Sequence, residues 1–183
     1  MKNIKEYNLD ELKQELISVG EKGYRAEQIF NWLYVEKVKS FDDMTNLSLE
    51  LREKLKQNYT MCNFEILSKQ ESSDGTKKYL FDVLDGNAIE TVLMEYHHGK
   101  TICVSSQIGC KMGCKFCAST GIAFVRGLTA GEIVEQILAV EQDIGEHISN
   151  IVFMGIGEPF DNYDNVMLSL IHISEPTRHA QIS

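Results

Sequence analysis

The sequence predicts an α/β protein, α+β overall, whose helices come first and whose alternating strands and helices come last. Three observations predict this class. Apolar residues recur at helical spacing in the first third of the chain. Runs with β propensity follow, separated by turn signals, and a helix with a capping-box start then lies between two further such runs. The 183 residues suffice for one domain, or for one domain and part of another.

Residues 1–60 are predicted to form a small helical accessory domain. Asn8 opens a capping-box sequence, in which the side chain three residues later can return a hydrogen bond. The predicted helices run from Asn8 to Gly20, from Tyr24 to Val38 and onward from Ser48. Trp32 and Tyr34 fit either RNA stacking or packing in the core or at the rim of a small helical bundle, and the apolar periodicity favours packing.

Residues 61–97 are predicted to form an antiparallel β-meander. Its strands cover 64–71, 77–84 and 88–96, and turn signals containing Asp-Gly separate them. In the third strand Glu90 shares a face with Val92 and Met94, because side chains alternate along a strand. Glu90 therefore lies either at a sheet margin in water or in an apolar site that raises its pKa, and the margin is the favoured alternative.

Residues 98–167 are predicted to form an α/β core. A β-prone run at 101–105 leads into a long loop, and Thr129 then begins a helix that Gly145 ends. The apolar run 150–154 suits a strand buried on both faces. Residues 155–159, Gly-Ile-Gly-Glu-Pro, follow at the carboxyl end of this strand, where parallel α/β sheets bind ligands.

The last segment, 168–183, is predicted to lie outside the natural protein. Residues 168–178 read LSLIHISEPTR, which resembles the in-frame translation of a common transposase sequencing adapter. The closing Ile182 and Ser183 fit the constant sequence that follows the adapter's index. We expect codons of adapter origin here and leave the segment out of the fold prediction. The alternative is a genuine short helix that begins near Asn162.

The charge of the chain excludes some functions. Lys and Arg number 18 against 27 Asp and Glu, and this net charge of −9 argues against a protein that coats nucleic acid non-specifically. From 98 to 128, however, there are no acidic residues, and the cations are Lys100, Lys111, Lys115 and Arg126. They form either a site for an anion or a solvated loop. Because no long apolar run and no apolar leader is present, we expect a cytoplasmic protein without a membrane span.

Three of the five cysteines lie within eight residues, at Cys110, Cys114 and Cys117. The odd number of cysteines makes a disulfide framework improbable. Three thiolates on a tight loop can hold three irons of a 4Fe–4S cluster and leave the fourth iron open, as S-adenosylmethionine (SAM) requires. The alternatives are a zinc site completed by His97 and His98, or core cysteines without a ligand.

Three residues outside the cysteine triad could contact such a cofactor. Phe116 could pack on the adenine of SAM, although a single Phe more often belongs to a core. Gly157 lets the backbone approach a ligand closely, and Glu158 can accept a hydrogen bond from the amino group of SAM. The alternative for Glu158 is a loop carboxylate in solvent.

Four motifs in this chain resemble one known family. They are CVSSQIGCKMGCKFC at 103–117, IETVLM at 89–94, GEIVEQ at 131–136 and MGIGEP at 154–159. Together they are similar to the RlmN and Cfr family of radical SAM adenine methyltransferases, over residues 1–167 and roughly the first half of the family's length. The resemblance implies that 98–167 are the first βα units of an incomplete radical SAM (β/α) partial TIM barrel, and that 1–60 bind RNA.

The resemblance also implies roles for single residues. It assigns the cluster to Cys110, Cys114 and Cys117 and the SAM contacts to Gly157 and Glu158. Glu90 matches the family's proton acceptor. Cys103 matches the cysteine that frees the product by a transient disulfide with a methyl-carrying cysteine near the family's C-terminus. Cys62 lies in the wrong region to carry the methyl group, and we expect a core or surface role for it.

The implied function is methylation of C2 of adenosine in 23S rRNA and tRNA through a methyl-cysteine intermediate. The implied partners are these RNAs and an electron donor such as flavodoxin, and we expect a monomer. C8 methylation, as in Cfr, and a non-catalytic, metal-stapled RNA-binding module remain the alternatives. Because the methyl-carrying cysteine and most of the barrel are absent from these residues, we expect the chain itself to be an inactive, aggregation-prone fragment.

Overall fold

The computed structural model describes residues 1–97, 99–119 and 121–180, with side chains described as far as Ser174. Its residues group into two compact units. The first contains Met1–Asn63 and the residues from Leu168 onward, and the second is Phe64–Met167. The mixed α/β class that the sequence predicts is confirmed. No helix in the described ranges is long and apolar enough to cross a membrane.

The first unit is mainly helical. Its helices are α1 (Leu9–Ser18), α2 (Arg25–Tyr34) and α3 (Leu49–Asn58), beside a parallel strand pair, β1 (Lys2–Asn3) and β2 (Tyr59–Thr60). The capping box at Asn8 is confirmed, because its side chain accepts from the Glu11 N–H at 2.8 Å and the Glu11 carboxylate accepts from the Asn8 N–H at 2.9 Å. The core contains Leu12, Leu16, Ile29, Leu33, Leu51 and Leu55.

Helix α2 is shorter than the sequence predicts. It ends at Tyr34 rather than Val38, and Lys37 has a φ of 54°, a left-handed conformation that cannot continue a helix. Tyr34 is buried, which confirms the core interpretation for this residue. Trp32 is half-buried, and its indole N–H donates to Asn46 Oδ1 at 2.6 Å.

The second unit is built on a five-stranded sheet. Its elements in chain order are β3 (Glu65–Glu71), β4 (Lys77–Asp82), β5 (Ala88–Tyr96), β6 (Gly99–Cys103), the short pair β7 (Gln107–Ile108) and β8 (Arg126–Gly127), α4 (Ala130–Ile144) and β9 (Asn150–Val152). The sheet order is β3-β4-β5-β6-β9. The antiparallel meander is confirmed in β3, β4 and β5, and β6 continues it. Strand β9 pairs with β6 in parallel, so α4 forms the crossover of a βαβ unit.

The two faces of the sheet differ in what covers them. Ile89, Thr91 and Leu93 are buried, and the Thr91 hydroxyl donates to Gln136 of α4 at 2.8 Å, so α4 covers this face. The opposite face carries a cavity of about 680 Å³, lined by Val92, Met94, Tyr96, Thr101, Cys103, Asn150, Val152 and Met154. The predicted alternation along β5 is therefore confirmed.

Strand β9 is less buried than the sequence predicts. The apolar run 150–154 suits a strand buried on both faces, but 150–152 are only half-buried and Met154 is 80% exposed. The prediction is wrong because β9 is the last strand of the sheet order, with β6 as its one neighbour in the described part of the chain. A parallel strand is covered on both faces only where further units pack on it.

The last helix, α5, covers Tyr163–Ala180. It corresponds to the alternative of a helix beginning near Asn162. The adapter origin of 168–183 concerns the encoding nucleotides and stays a prediction, and residues 181–183 lie outside the described residues.

His172 predicts a pH-dependent stability for the first unit. Its ring is fully buried against Phe30 and Tyr34, with ring centroids 5.9 and 5.6 Å away. Neither ring nitrogen has a hydrogen-bond partner among the residues that the structure describes, and burial lowers the pKa of His172 to about 4. Because the unfolded chain binds this proton more tightly, the stabilisation is complete above the unfolded pKa and is lost as the pH falls towards the folded pKa.

We expect the free energy of unfolding to fall by about 2 kcal/mol between about pH 7.5 and about pH 5 because of this one group. Urea unfolding at the two pH values measures the loss. His172→Phe keeps the aromatic packing without a titrating group, so the variant should lose much less stability over the same interval. An equal loss in both proteins would mean that other groups cause the pH dependence.

Candidate functional site

The segment between β6 and α4 forms a loop that is closed at its base. The Cys110 N–H donates to the Ile122 carbonyl at 3.3 Å, and the Val125 N–H donates to the Ile108 carbonyl at 2.8 Å. Gly109 has a φ of +71°, and a Cβ at this position would lie 1.9 Å from the Ala123 carbonyl oxygen. Only glycine allows the two ends of the loop to approach so closely.

The three motif cysteines all lie on this closed loop. Cys110 is half-buried, Cys114 and Cys117 are exposed, and none of the five cysteines forms a disulfide. Within the described ranges, no three His, Cys, Asp or Glu side chains are grouped as a metal site. For the zinc alternative, His97 is described but His98 lies outside the described residues.

The chemistry of the donor set fits an iron–sulfur cluster. The loop offers three cysteines in one short segment, none of them in a disulfide, and the cluster needs cysteine thiolates as its ligands. The stretch from 98 to 128 contains no Asp or Glu, so no carboxylate within it competes for metal. Cys62 lies in the first unit and is half-buried, in line with a core or surface role.

The Gly-Ile-Gly-Glu-Pro segment packs against the start of the cysteine loop. A Cβ at Gly155 would lie 2.7 Å from the Val104 carbonyl oxygen, and one at Gly157 would lie 2.6 Å from the Gln107 Cβ. The sequence predicts that these glycines let the backbone approach a ligand, whereas in the structure the close approach is to the chain itself. The Glu158 carboxylate accepts from the Phe160 N–H at 3.0 Å.

Glu90 and Cys103 lie on the cavity side of the sheet. Cys103 pairs with Val92 in the β5–β6 register, and Glu90 precedes Val92 by two positions on the same face. The Glu90 carboxylate is 44% exposed and lies 3.1 Å from the Lys78 ammonium. The apolar-site alternative for Glu90 is therefore wrong, because the strand leaves this side chain at the solvent. Burial raises the pKa of the Cys103 thiol.

Phe116 is 95% exposed, which excludes the core alternative for this residue. Its predicted contact with the adenine of SAM stays a prediction. The side chain adjoins Cys117 in sequence, so it belongs to the same exposed loop.

The basic segment is largely paired within the chain. Arg126 contacts Asp85 at 2.6 Å and Glu132 at 2.7 Å. Lys100 contacts Glu95 and Glu146, each at 3.1 Å, and Lys111 contacts Asp161 at 3.1 Å. The anion-site alternative is disfavoured for these three cations, because carboxylates of the same chain, some near and some distant in sequence, already pair with them.

Gln136 carries a buried polar side chain that the sequence predictions missed. It hydrogen-bonds both to β5 and to the segment after β6. The Gln136 amide oxygen accepts from the Ser105 N–H and the Thr91 hydroxyl, both at 2.8 Å, and its amide nitrogen donates to the Ser105 carbonyl at 2.9 Å. The Ser105 hydroxyl donates to the Glu90 carbonyl at 2.7 Å and accepts from the Ile156 N–H at 3.0 Å. A glutamine inside the apolar face of α4 is the one sequence signal that could have indicated this role.

Asn162 closes the same region from the other side. Its amide nitrogen donates to the Ser106 carbonyl at 2.8 Å and to the Leu128 carbonyl at 2.7 Å. Thus the residues before and after the cysteine loop are both tied to the segment that follows β9.

Comparisons with known proteins show what the chain is similar to. Residues 2–61 match the family model of the ribosomal RNA large subunit methyltransferase N-terminal domain. A protein of Clostridium novyi described as "Probable dual-specificity RNA methyltransferase RlmN" is 52% identical over 176 residues, which cover 96% of this chain and 51% of that protein. The chain is thus similar to RlmN proteins along most of its length. An RlmN relative from Bacillus subtilis is 50% identical over 174 residues, covering 93% of this chain and 48% of its own length.

A solved structure supports the same assignment for the fold. The crystal structure of a radical SAM methyltransferase from Sphaerobacter thermophilus superposes with a TM-score of 0.88 at 39% sequence identity. The match covers 96% of this chain and 52% of that one. The chain thus spans about half the length of the RlmN relatives that it matches.

Proposed function

We propose that the protein is a radical SAM methyltransferase of the RlmN type, which methylates C2 of adenosine in 23S rRNA and tRNA through a methyl-cysteine intermediate. The observation that carries the proposal is the closed loop with three cysteines, placed inside a βαβ unit beside the segment 155–159. The relatives from Clostridium novyi and Bacillus subtilis are both described as probable RlmN methyltransferases, which supports the RlmN type over the C8 alternative.

Cys110, Cys114 and Cys117 would hold a 4Fe–4S cluster, because they are three cysteines on one loop and none of them is in a disulfide. Gly157 and Glu158 would hold SAM, with Phe116 available to its adenine. When bound, the cluster and SAM supply the one-electron chemistry that an unreactive aromatic carbon requires. The segment 155–158 contributes a fixed backbone, since it is hydrogen-bonded to Ser105 and packed on Gln107.

Glu90 would accept the proton that leaves C2 of the adenine. Its carboxylate lies at the solvent-exposed margin of the cavity face, where a large RNA base can reach it. Lys78 fixes the carboxylate from the neighbouring strand, at 3.1 Å. A positioned base of this kind typically contributes a factor of about 10² to 10⁴ to a rate.

Cys103 would free the product. Attack of its thiolate on the sulfur of the methyl-carrying cysteine forms an S–S bond, and the bond from that sulfur to the adenosine-bound carbon breaks. The released electron pair stays on this carbon, which takes up a proton to become the methyl group. Cys103 lines the cavity on the same face as Glu90, so both side chains can serve one bound base. The methyl-carrying cysteine would belong to a part of the protein outside these residues.

We also propose a cytoplasmic location, RNA as the binding partner of residues 1–60, a monomer and an electron donor such as flavodoxin. The five cysteines, none of which is in a disulfide, support a reducing compartment.

A chimera tests the proposed activity. Residues 1–167 are joined to the second half of the Clostridium novyi relative, the protein is reconstituted with iron and sulfide, and RNA is analysed by mass spectrometry. We expect 2-methyladenosine in 23S rRNA and tRNA, and Glu90→Gln should lower its rate of formation by about 100-fold or more. 8-Methyladenosine as the product, or no product from a soluble chimera that carries its cluster, would contradict the proposal.

A further inference from the structure

Gln107 lies at the entrance of the cysteine loop and is 1% exposed. Its amide oxygen accepts from the Glu158 backbone N–H at 3.0 Å, and its amide nitrogen donates to Asp161 Oδ2 at 3.1 Å. Both ends of one buried carboxamide are therefore used by the segment after β9. A buried amide that is satisfied in this way holds its partners in one geometry, since breaking either bond leaves a polar group unpaired.

The backbone makes the same connection. The N–H groups of Ser106 and Gln107 donate to the Ile156 carbonyl at 3.0 and 3.2 Å. Gly157 has a φ of +106°, and a Cβ at this position would lie 2.8 Å from the Gln107 backbone nitrogen. The peptide that precedes Glu158 thus lies directly on Gln107, without space for any side chain between them.

Asp161 extends the connection to the cysteine loop itself. Its Oδ2 atom also lies 3.1 Å from the ammonium of Lys111, the residue directly after Cys110. The Gln107 amide and then the Lys111 ammonium hold the pKa of Asp161 below its usual range, so the carboxylate remains available to both. Contacts through Gln107, Asp161 and Lys111 therefore connect Glu158 to the residue next to Cys110, the first cysteine of the motif.

The carboxylate of Glu158 is fixed from its other side. It accepts from the Phe160 N–H at 3.0 Å, which leaves its remaining lone pairs for a further donor. The SAM amino group is such a donor. Functional groups of a site must be held within about 0.5 Å of their working geometry, and that precision comes from the residues behind them.

We propose that Gln107 is a positioning residue, which fixes Glu158 beside the cysteine loop so that its carboxylate can receive the amino group of SAM. This inference rests on the proposed function, and Gln107 itself touches no cofactor. It acts through the Glu158 N–H and through Asp161.

Three variants separate positioning from packing. Gln107→Leu removes both hydrogen bonds at nearly constant volume. Gln107→Glu keeps an acceptor for the Glu158 N–H but places two carboxylates side by side. The double variant Gln107→Glu/Asp161→Asn exchanges donor and acceptor, so that the carboxylate at 107 accepts from both partners. Gln28→Leu, on α2 in the first unit, is the matched control for a glutamine-to-leucine change.

The first readout is SAM affinity of the reconstituted chain, measured by equilibrium dialysis. We expect the dissociation constant for SAM to rise about tenfold or more in Gln107→Leu and in Gln107→Glu. A tenfold rise corresponds to the free energy of one buried hydrogen bond. The double variant should return to within about threefold of the unaltered chain. Gln28→Leu should leave the affinity unchanged.

The second readout is hydrogen exchange at the Glu158 amide in the cluster-free chain. We expect exchange to be about tenfold faster in Gln107→Leu, because the amide loses its acceptor. Unchanged exchange and unchanged SAM affinity in this variant would overturn the inference, and so would a loss of affinity that the double variant fails to restore. If the unaltered chain carries a cluster but binds no SAM, the proposed function fails, and the exchange result alone then decides whether Gln107 fixes Glu158.

Discussion

Cys114→Ala is expected to abolish cluster binding by the reconstituted chain. The unaltered chain should take up about four irons and four sulfides, because three thiolates suffice to hold a 4Fe–4S cube. With Cys114 removed, two thiolates remain on the loop, and we expect the iron content to fall by about tenfold or more after desalting. Iron and sulfide assays, together with the absorbance of the cluster, measure the change.

Cys62→Ala is the matched control, because Cys62 is a half-buried cysteine of the first unit, away from the cysteine loop in sequence. Its iron content should equal that of the unaltered chain. If Cys114→Ala kept a full complement of iron, the three-cysteine assignment would be wrong. One zinc per unaltered chain, with no iron, would instead support the metal-stapled RNA-binding module.

Gly109→Ala is expected to destabilise the second unit strongly. The added Cβ would lie 1.9 Å from the Ala123 carbonyl oxygen and 2.9 Å from the Phe124 Cα, at a φ of +71°. The clash and the left-handed conformation together should lower the free energy of unfolding by about 4 kcal/mol. Because these atoms close the base of the loop, the variant should also lose cluster binding. Urea unfolding and iron assays measure the two effects.

Gly113→Ala provides the control within the same loop. Gly113 also has a positive φ, +61°, but a Cβ there would meet no atom within 4 Å. Only the conformational cost remains, about 1 kcal/mol, and cluster binding should persist. Equal destabilisation by the two substitutions would show that the close approach of Gly109 to Ala123 adds nothing to the free energy of unfolding.

Local signals explain which parts of the fold the sequence predicts. The capping boxes at Asn8 and Thr129 each depend on residues three positions apart, and both form. The turns of the meander likewise depend on short sequences, and β4 and β5 lie where the turn signals place them. Such features are predictable because the interacting groups are neighbours in the chain.

The polar contacts behind the site are not predictable in this way. Ser105 and Gln136 are 31 positions apart, and Gln107 and Glu158 are 51 apart. The sequence around a glutamine does not indicate which distant backbone group its side chain will contact, because the tertiary fold determines the partner. The same reason explains the basic segment, whose partners Asp85 and Asp161 lie outside it.

The proposed site residues are only partly predictable from local sequence. The spacing of Cys110, Cys114 and Cys117 is a local signal, and the structure puts all three on one closed loop. The juxtaposition of Glu90 and Cys103 depends on the register of β5 and β6, which pairs Cys103 with Val92. The roles proposed for Glu90 and Cys103 come from the motif resemblance, and the sheet places both residues on one face.

The most direct measurement is the EPR spectrum of the reconstituted, dithionite-reduced chain, recorded before and after SAM is added. A cluster held by three cysteines has one iron open to the amino and carboxylate groups of SAM, so its signal should change on addition. Methylthioadenosine, which lacks those two groups, should leave the signal unchanged. A cluster signal that saturating SAM does not alter, or a chain that takes up no iron at all, would contradict the assignment of this loop to radical SAM chemistry.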